Sequence, residues 1–328
     1  MLIRIVLRSG RLSADILKKS IVHFKQLRSL ELSDAVFMND SSLWEVLGTL
    51  PSLANLILAV NPPAHAPKNS NTESGCPKYF EALESLCVTG TFFLIQRLLS
   101  FIDSPCLRSI KVYPVINRVR KELEHEDEGI FTPSMMVVSS KWSQSLKNLF
   151  IISDTSSFGL PQAIATLKCL MLLTDLHEMQ CFHLINWKME NMDDDVRRLV
   201  TSWPKLRTLK VLSLNETSIS LSTLKLIAEN CPELRHLQIQ LDTSTIPPFD
   251  TSSKSLYHKL EILTVGGGYN VRPSNTITQT SLRSQIQVTR YLDLIFPYLK
   301  GVEMRQEDVF WLGIRDLVEL CQDARRIK

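Results

Sequence analysis

No stretch of this sequence stays apolar for the roughly 18 residues that a membrane-spanning helix needs. The opening "MLIRIVLR" is apolar but broken by Arg4 and Arg8. It is too short for a secretory core and lacks a small-residue cleavage site. Neither sign of charge dominates: 37 Lys and Arg stand against 34 Asp and Glu, a net charge of +3. That balance excludes a chain-wide attraction to polyanions, so neither nucleic acid nor a membrane is expected as a partner. The seven cysteines are odd in number, scattered at 76, 87, 106, 169, 181, 231 and 321, and form no CxxC pair. A disulfide framework is thereby excluded, and a reducing, intracellular location (cytoplasm or nucleus) is expected. The sequons at Asn39 and Asn215 then carry no meaning.

Catalytic signatures are missing as well. There is no nucleophile elbow and no HExxH motif. The glycines of "VGGGYN" (Gly266 to Gly268) lead into neither GK[ST] nor GxGxxG, so they read as a post-strand turn and not a phosphate cradle. "HEMQCFH" offers His177, Cys181 and His183, but zinc wants four ligands and no fourth lies nearby. "MDDDVRR" holds Asp193, Asp194 and Asp195, which suit the first turn of a helix better than a cation. No catalytic residue, metal or cofactor is expected, and the chain reads as a non-enzyme.

What the sequence has is one unit, many times. Ahead of Pro204, Val196, Leu199, Val200 and Trp203 share one helix face; after it come Leu206, Leu209 and Val211, an LxxLxL run. The same register holds around Pro232 (Leu224, Ile227, Ala228, Cys231; Leu234, Leu237, Ile239). It holds again around Pro51 (Leu43, Val46, Leu47, Leu50; Leu53, Leu56, Leu58). Weaker copies begin at Leu27, Leu83, Leu107, Leu146, Leu260 and Leu299, and a tenth begins at Leu173 and Leu176 with Glu178 in its third slot. Successive first leucines lie 24 to 39 residues apart, near or above the upper end of the leucine-rich repeat range. A strand with alternating buried leucines, followed by a helix that packs back on it, cannot bury its own face, so neighbours must stack.

The expected fold is therefore an α/β leucine-rich repeat solenoid, horseshoe-like. About ten parallel strands line its concave face and helices its convex one. It fills 1–328 as a single domain, with loops near 61–78, 117–134 and 266–282. A capping helix near 307–326 carries Phe310, Ile314, Leu317, Val318 and Cys321 on one face.

"SWPKLRTLKV", "NCPELRHLQI" and "LPSLANLIL" resemble the repeat region of fungal F-box/leucine-rich repeat proteins, where a "WP-x-L" or "CP-x-L" step leads into the strand. The resemblance covers about residues 12–328. It implies a substrate-binding repeat region of a ubiquitin ligase adaptor. The F-box itself, a helical module opening near "LPxE", is not visible. Ubiquitin-ligase components are thus expected as partners only if an F-box precedes Met1.

In an LxxLxL strand the leucines face inward and the residues between them face the concave side. Arithmetic along the strands offers Lys111, Tyr113, Phe150, His177, Thr208, Lys210, His236, Gln238 and Gln240 as the protein-binding set, because long polar and aromatic side chains are enriched at binding hot spots. The alternative is a solvated sheet face that binds nothing in particular. The function expected is protein recognition; a stand-alone scaffold or inhibitor without ligase is the other reading.

Overall fold

The structure is a computed structural model. It describes residues 3–8, 19–33, 41–59, 80–115, 127–153, 164–165, 167–215, 217–248, 258–266, 282–304 and 308–326. The loop expected at 61–78 lies outside those residues, as do 117–126 and 267–281. The chain divides into two compact units, Met1–Ala163 and Ile164–Lys328, each an α/β assembly on parallel strands. No helix among the described residues is long and apolar enough to cross a membrane.

The first unit carries strands β1 (Ile3–Arg8), β2 (Leu27–Ser33), β3 (Asn55–Ala59), β4 (Ser85–Gly90), β5 (Ser109–Pro114) and β6 (Asn148–Ile152), paired in that order. Parallel neighbours cannot be joined by a tight hairpin, and helices serve as crossovers. These are α1 (Ser41–Gly48), α2 (Phe92–Phe101) and α3 (Asp127–Trp142). The leucine spacing sets the register. Leu30, Leu56, Leu86, Ile110 and Leu149 align across five strands, and Leu32, Leu58, Val88, Val112 and Ile151 align beside them. None of these side chains exposes more than 2% of its surface. Burial of each contributes roughly 1.5–3 kcal/mol, which must offset the entropy of ordering the chain.

The second unit follows the same plan with β8 (Cys181–Met189), β9 (Thr208–Ser213), β11 (His236–Ile239), β13 (Ile262–Val265) and β14 (Gly301–Met304). Short β7 (Ile164–Ala165) pairs with the end of β8, and β10 (Ile219–Ser220) pairs with β12 (Leu241–Asp242). Its helices are α4 (Leu167–Met171), α5 (Met192–Ser202), α6 (Leu221–Asn230), α7 (Leu282–Ile295) and α8 (Val309–Arg326). The helix stripes expected ahead of Pro204 and Pro232 are all buried, as are Ile314 and Val318 of the last helix.

Helix meets strand through one recurring turn. The amide of the first strand leucine donates to the carbonyl three residues earlier: Leu53 to Leu50, Leu83 to Phe80, Leu206 to Trp203, Leu234 to Cys231, Leu299 to Phe296. Pro51, Pro204, Pro232 and Pro297 all occupy the second position of this turn, where a fixed φ near −65° is favoured.

Three expectations change. The tenth repeat does not begin at Leu173. Leu173 belongs to a 3-10 turn, Leu172–Asp175, and the strand starts at Cys181. Met179, Phe182 and Leu184 hold its three inward slots, and the Met179 amide donates to Leu176 in the recurring turn. Residues 127–134, expected within a loop, begin α3 despite Gly129 and Pro133. Phe131, Met135, Val138 and Trp142 form a buried stripe whose packing outweighs the local breakers. Finally, "IRIVLR" is a strand: Ile5 and Leu7 pair with Leu30 and Leu32, extending the sheet ahead of the first expected repeat.

A second recurring bond runs between successive repeats. In four places a buried side chain ahead of a strand donates to the backbone of the preceding segment. Trp142 Nε1 reaches the Ser104 carbonyl at 2.9 Å, and Trp203 Nε1 reaches Leu173 at 3.2 Å. Cys231 Sγ reaches Trp203 at 3.5 Å, and His258 Nε2 reaches Cys231 at 2.8 Å. The Leu173, Trp203 and Cys231 carbonyls also accept the turn amides of Leu176, Leu206 and Leu234, so each takes a second bond on its other lone pair.

His258 also accepts the Leu260 amide at Nδ1, 3.1 Å away, which fixes the neutral Nε2–H form. Burial pushes its pKa below the usual value, the bond to Cys231 opposing. The unfolded chain therefore takes up a proton more readily than the folded one. Stability from this group is present above the ordinary histidine range and is lost as pH falls through it. Urea midpoints measured from pH 8 to pH 5 are expected to show this loss, and His258→Leu is expected to be less stable at pH 8 and to lack that limb.

Candidate functional site

Alternation sends every second side chain of each strand to the sheet face opposite the leucines. Register then turns scattered residues into rows. In the first unit one row reads Glu31, Ile57, Cys87, Lys111 and Phe150 across β2 to β6. The next holds Ser33, Ala59, Thr89 and Tyr113. All are half-buried. Lys111 Nζ lies 4.9 Å from the centre of the Phe150 ring, a cation–π pair. Burial pushes the Cys87 thiol up; Lys111 pulls it down and Glu31 adds to the rise. A thiol held protonated is a poor nucleophile. Tyr113 is likewise raised, by burial first and Cys87 second.

In the second unit one row reads Cys181, Thr208, His236, Ile262 and Gly301. The other reads His183, Lys210, Gln238, Thr264 and Glu303. Thr264 Oγ1 donates to Glu303 at 3.1 Å, and Cys181 Sγ sits 3.4 Å from His183 Nε2. Beyond these rows Ile185 and Leu212 are buried, which marks where the open part of the face stops.

Seven of the nine expected residues stand on these faces: Lys111, Tyr113, Phe150, Thr208, Lys210, His236 and Gln238. Two do not. His177 is a correction: it occupies the second position of the helix-to-strand turn, where proline sits in other repeats, because the strand begins four residues later. Cys181 and His183 hold the face positions of this strand. Their signal was present in the Met179–Phe182–Leu184 spacing, with methionine and phenylalanine standing in for leucine. Gln240 is a junction residue just past β11. Its carbonyl accepts the Ile219 amide at 2.9 Å, and its Oε1 is buried with no hydrogen-bond partner among the described residues.

At the rim where the second unit's strands start, several charges are paired. Arg207 binds Glu233 at 3.1 Å, and Glu261 takes Arg235 at 2.9 Å and Lys300 at 2.8 Å. The Lys300 hydrogen bond holds the Glu261 carboxyl below its usual range, with Arg235 adding to the effect. Exposed pairs of this kind contribute little to stability, because solvent screens them.

The other motifs resolve into structure. Asp193, Asp194 and Asp195 open α5. Burial pushes the Asp193 carboxyl up, but bonds from Thr223, from the Ser220 amide and hydroxyl, and the charge of Arg197 bring it below the usual range. Asp193 thus ties α5 to Ser220, the residue capping α6. Gly266 ends β13 with φ 134°, a conformation that favours glycine. Asn215 bridges the Met189 backbone, donating to its carbonyl at 2.6 Å and accepting its amide at 3.1 Å. Among the described residues no group of three His, Cys, Asp or Glu is placed to hold a metal, and none of the described cysteines is in a disulfide.

No protein-family model matches the chain, and no curated protein matches it. Among solved structures, a Bacteroides fragilis protein is similar at 16% identity and a TM-score of 0.41, over 74% of this chain. The chain spans 64% of that protein's length. A sugar phosphate isomerase/epimerase from Parabacteroides distasonis is similar at 9% identity and a TM-score of 0.18, over 76% of this chain and 86% of that one. Neither likeness is close enough to assign a function.

Proposed function

We propose that the chain is a non-enzymatic protein-recognition module of the leucine-rich repeat type, and that its open sheet faces are the binding surface. The observation that carries this reading is the register. Apolar side chains, mostly leucines, consume the inward positions of each unit, and the outward ones align long polar and aromatic side chains into rows across neighbouring strands. A lysine stacked on a phenylalanine, as at Lys111 and Phe150, supplies a pre-ordered contact that costs a partner little entropy to engage. The "WP-x-L" and "CP-x-L" steps at Trp203 and Cys231 favour use as the substrate-binding region of an F-box-type ubiquitin ligase adaptor.

Affinity capture from cells with the tagged full chain tests both levels. A discrete partner is expected, and Lys111→Glu with Phe150→Ser, or Lys210→Glu, is expected to lower its recovery several-fold. Co-capture of a Skp-type adaptor and a cullin by the full-length product supports the ligase role. A partner recovered without them makes the chain a stand-alone scaffold or inhibitor. Recovery of no specific partner overturns the recognition reading.

A further inference from the structure

We infer that the face over β8, β9 and β11 takes an acidic peptide segment of the partner, with a carboxylate seated on Lys210; this rests on the recognition reading above. Lys210 lies on the central strand of the three. His183 stands beside it in register on one side and Gln238 on the other, with Thr208 two residues back on its own strand and His236 diagonal to it. Neighbouring strands run about 4.8 Å apart, so these groups converge on one spot on the order of 10 Å wide. All of them are donors or can become donors, and none carries negative charge at neutral pH. The one carboxylate in the two rows is Glu303, on the edge strand, where it accepts from Thr264.

The contrast with four cations of the rim is the decisive point. Lys205, Arg207, Arg235 and Lys300 all have carboxylate partners. Lys210 has neither an ion pair nor a hydrogen bond among the described residues. It is also half-buried on a sheet, so an added carboxylate would be screened less than at the rim. An ammonium held without a partner on a half-buried surface is complementary to an anion that the chain itself does not supply. A polypeptide fits better than a small anion because the two rows run on past these three strands to β13 and also present Cys181 and Ile262, which suit the apolar spacing of a peptide.

The test uses the full chain and fluorescein-labelled peptides of about a dozen residues, alternating serine with glutamate, with glutamine or with lysine. Anisotropy is read at low and high salt, with circular dichroism of each variant to show that it is folded. The glutamate peptide is expected to bind best and to weaken with salt. Its affinity is expected to fall about tenfold in Lys210→Glu and to stay unchanged in Lys300→Glu. Equal binding of the three peptides, or no effect of Lys210→Glu, overturns the inference. Competition by inorganic phosphate as strong as by unlabelled glutamate peptide also overturns it, since the site would then be a simple anion site. If a captured partner depends on Lys111 and Phe150 but not on Lys210, this inference falls while the recognition reading stands.

Discussion

Trp203→Ala is expected to destabilise the second unit by about 3–5 kcal/mol. The side chain is fully buried, packs against Phe182 with ring centres 4.9 Å apart, and donates to the Leu173 carbonyl. Truncation removes all three contributions at once. It opens a cavity between the stripe of α5 and strand β8, and it removes one of the two donors to the Leu173 carbonyl, which keeps the Leu176 amide. A domain whose total stability is only about 5–15 kcal/mol has little reserve against such a loss. Trp203→Phe separates the parts: the ring volume largely remains and the hydrogen bond goes, so a smaller loss, about 1–3 kcal/mol, is expected. Urea denaturation of both variants checks this. A midpoint for Trp203→Ala within error of the parent would mean that the turn does not close the core as described.

Asp195→Asn is expected to do the opposite and stabilise the chain near neutral pH, on the order of 2–3 kcal/mol. Asp195 is almost wholly buried in the first turn of α5, and its Oδ1 has no hydrogen-bond partner among the described residues. Burial, with Asp194 and Glu190 adding and Arg198 opposing, pushes its pKa up to about 6. The folded state thus prefers the protonated acid while the unfolded chain ionises near the ordinary value. Stability falls as pH rises from about 4 to about 6 and stays reduced above. Asparagine removes the charge and that slope. The His258 limb runs the other way, so between pH 5 and 6 the two oppose each other in the parent chain. Each variant is expected to unmask the other slope, and thermal melts across pH 4 to 8 would show it. A parent and Asp195→Asn pair with parallel pH profiles would refute the assignment.

The core was largely legible in the sequence because leucine spacing and the following proline act together. Leu206, Leu209 and Val211 sit where a strand alternates, and Pro204 stands where the turn favours it. Strand β8 was not legible by the same rule, for a physical reason. Burial asks for volume and apolarity and not for leucine, so Met179 and Phe182 serve equally well. Leu173 and Leu176, meanwhile, imitate the pattern from a 3-10 turn and its flank. The start of α3 was hidden by Gly129 and Pro133, whose local preference lost to the packing of Phe131 and Met135. Of the candidate site, alternation revealed which residues face outward. It could not reveal that Lys210 is left unpaired among the described residues while Lys205, Arg207, Arg235 and Lys300 are not, since that depends on partners 26 to 39 residues away in sequence.

The bonds from Trp203, Cys231 and His258 all point the same way, each to the backbone of the preceding repeat. That gives this stretch a polarity its side-by-side strands do not have. A repeat taken away from the far end exposes a carbonyl that water can satisfy. A repeat taken away from the near end uncovers the large apolar side chain that carries the donor. Shortening this stretch from its two ends by equal amounts is therefore not an equivalent injury: one end lays bare backbone, and the other lays bare core.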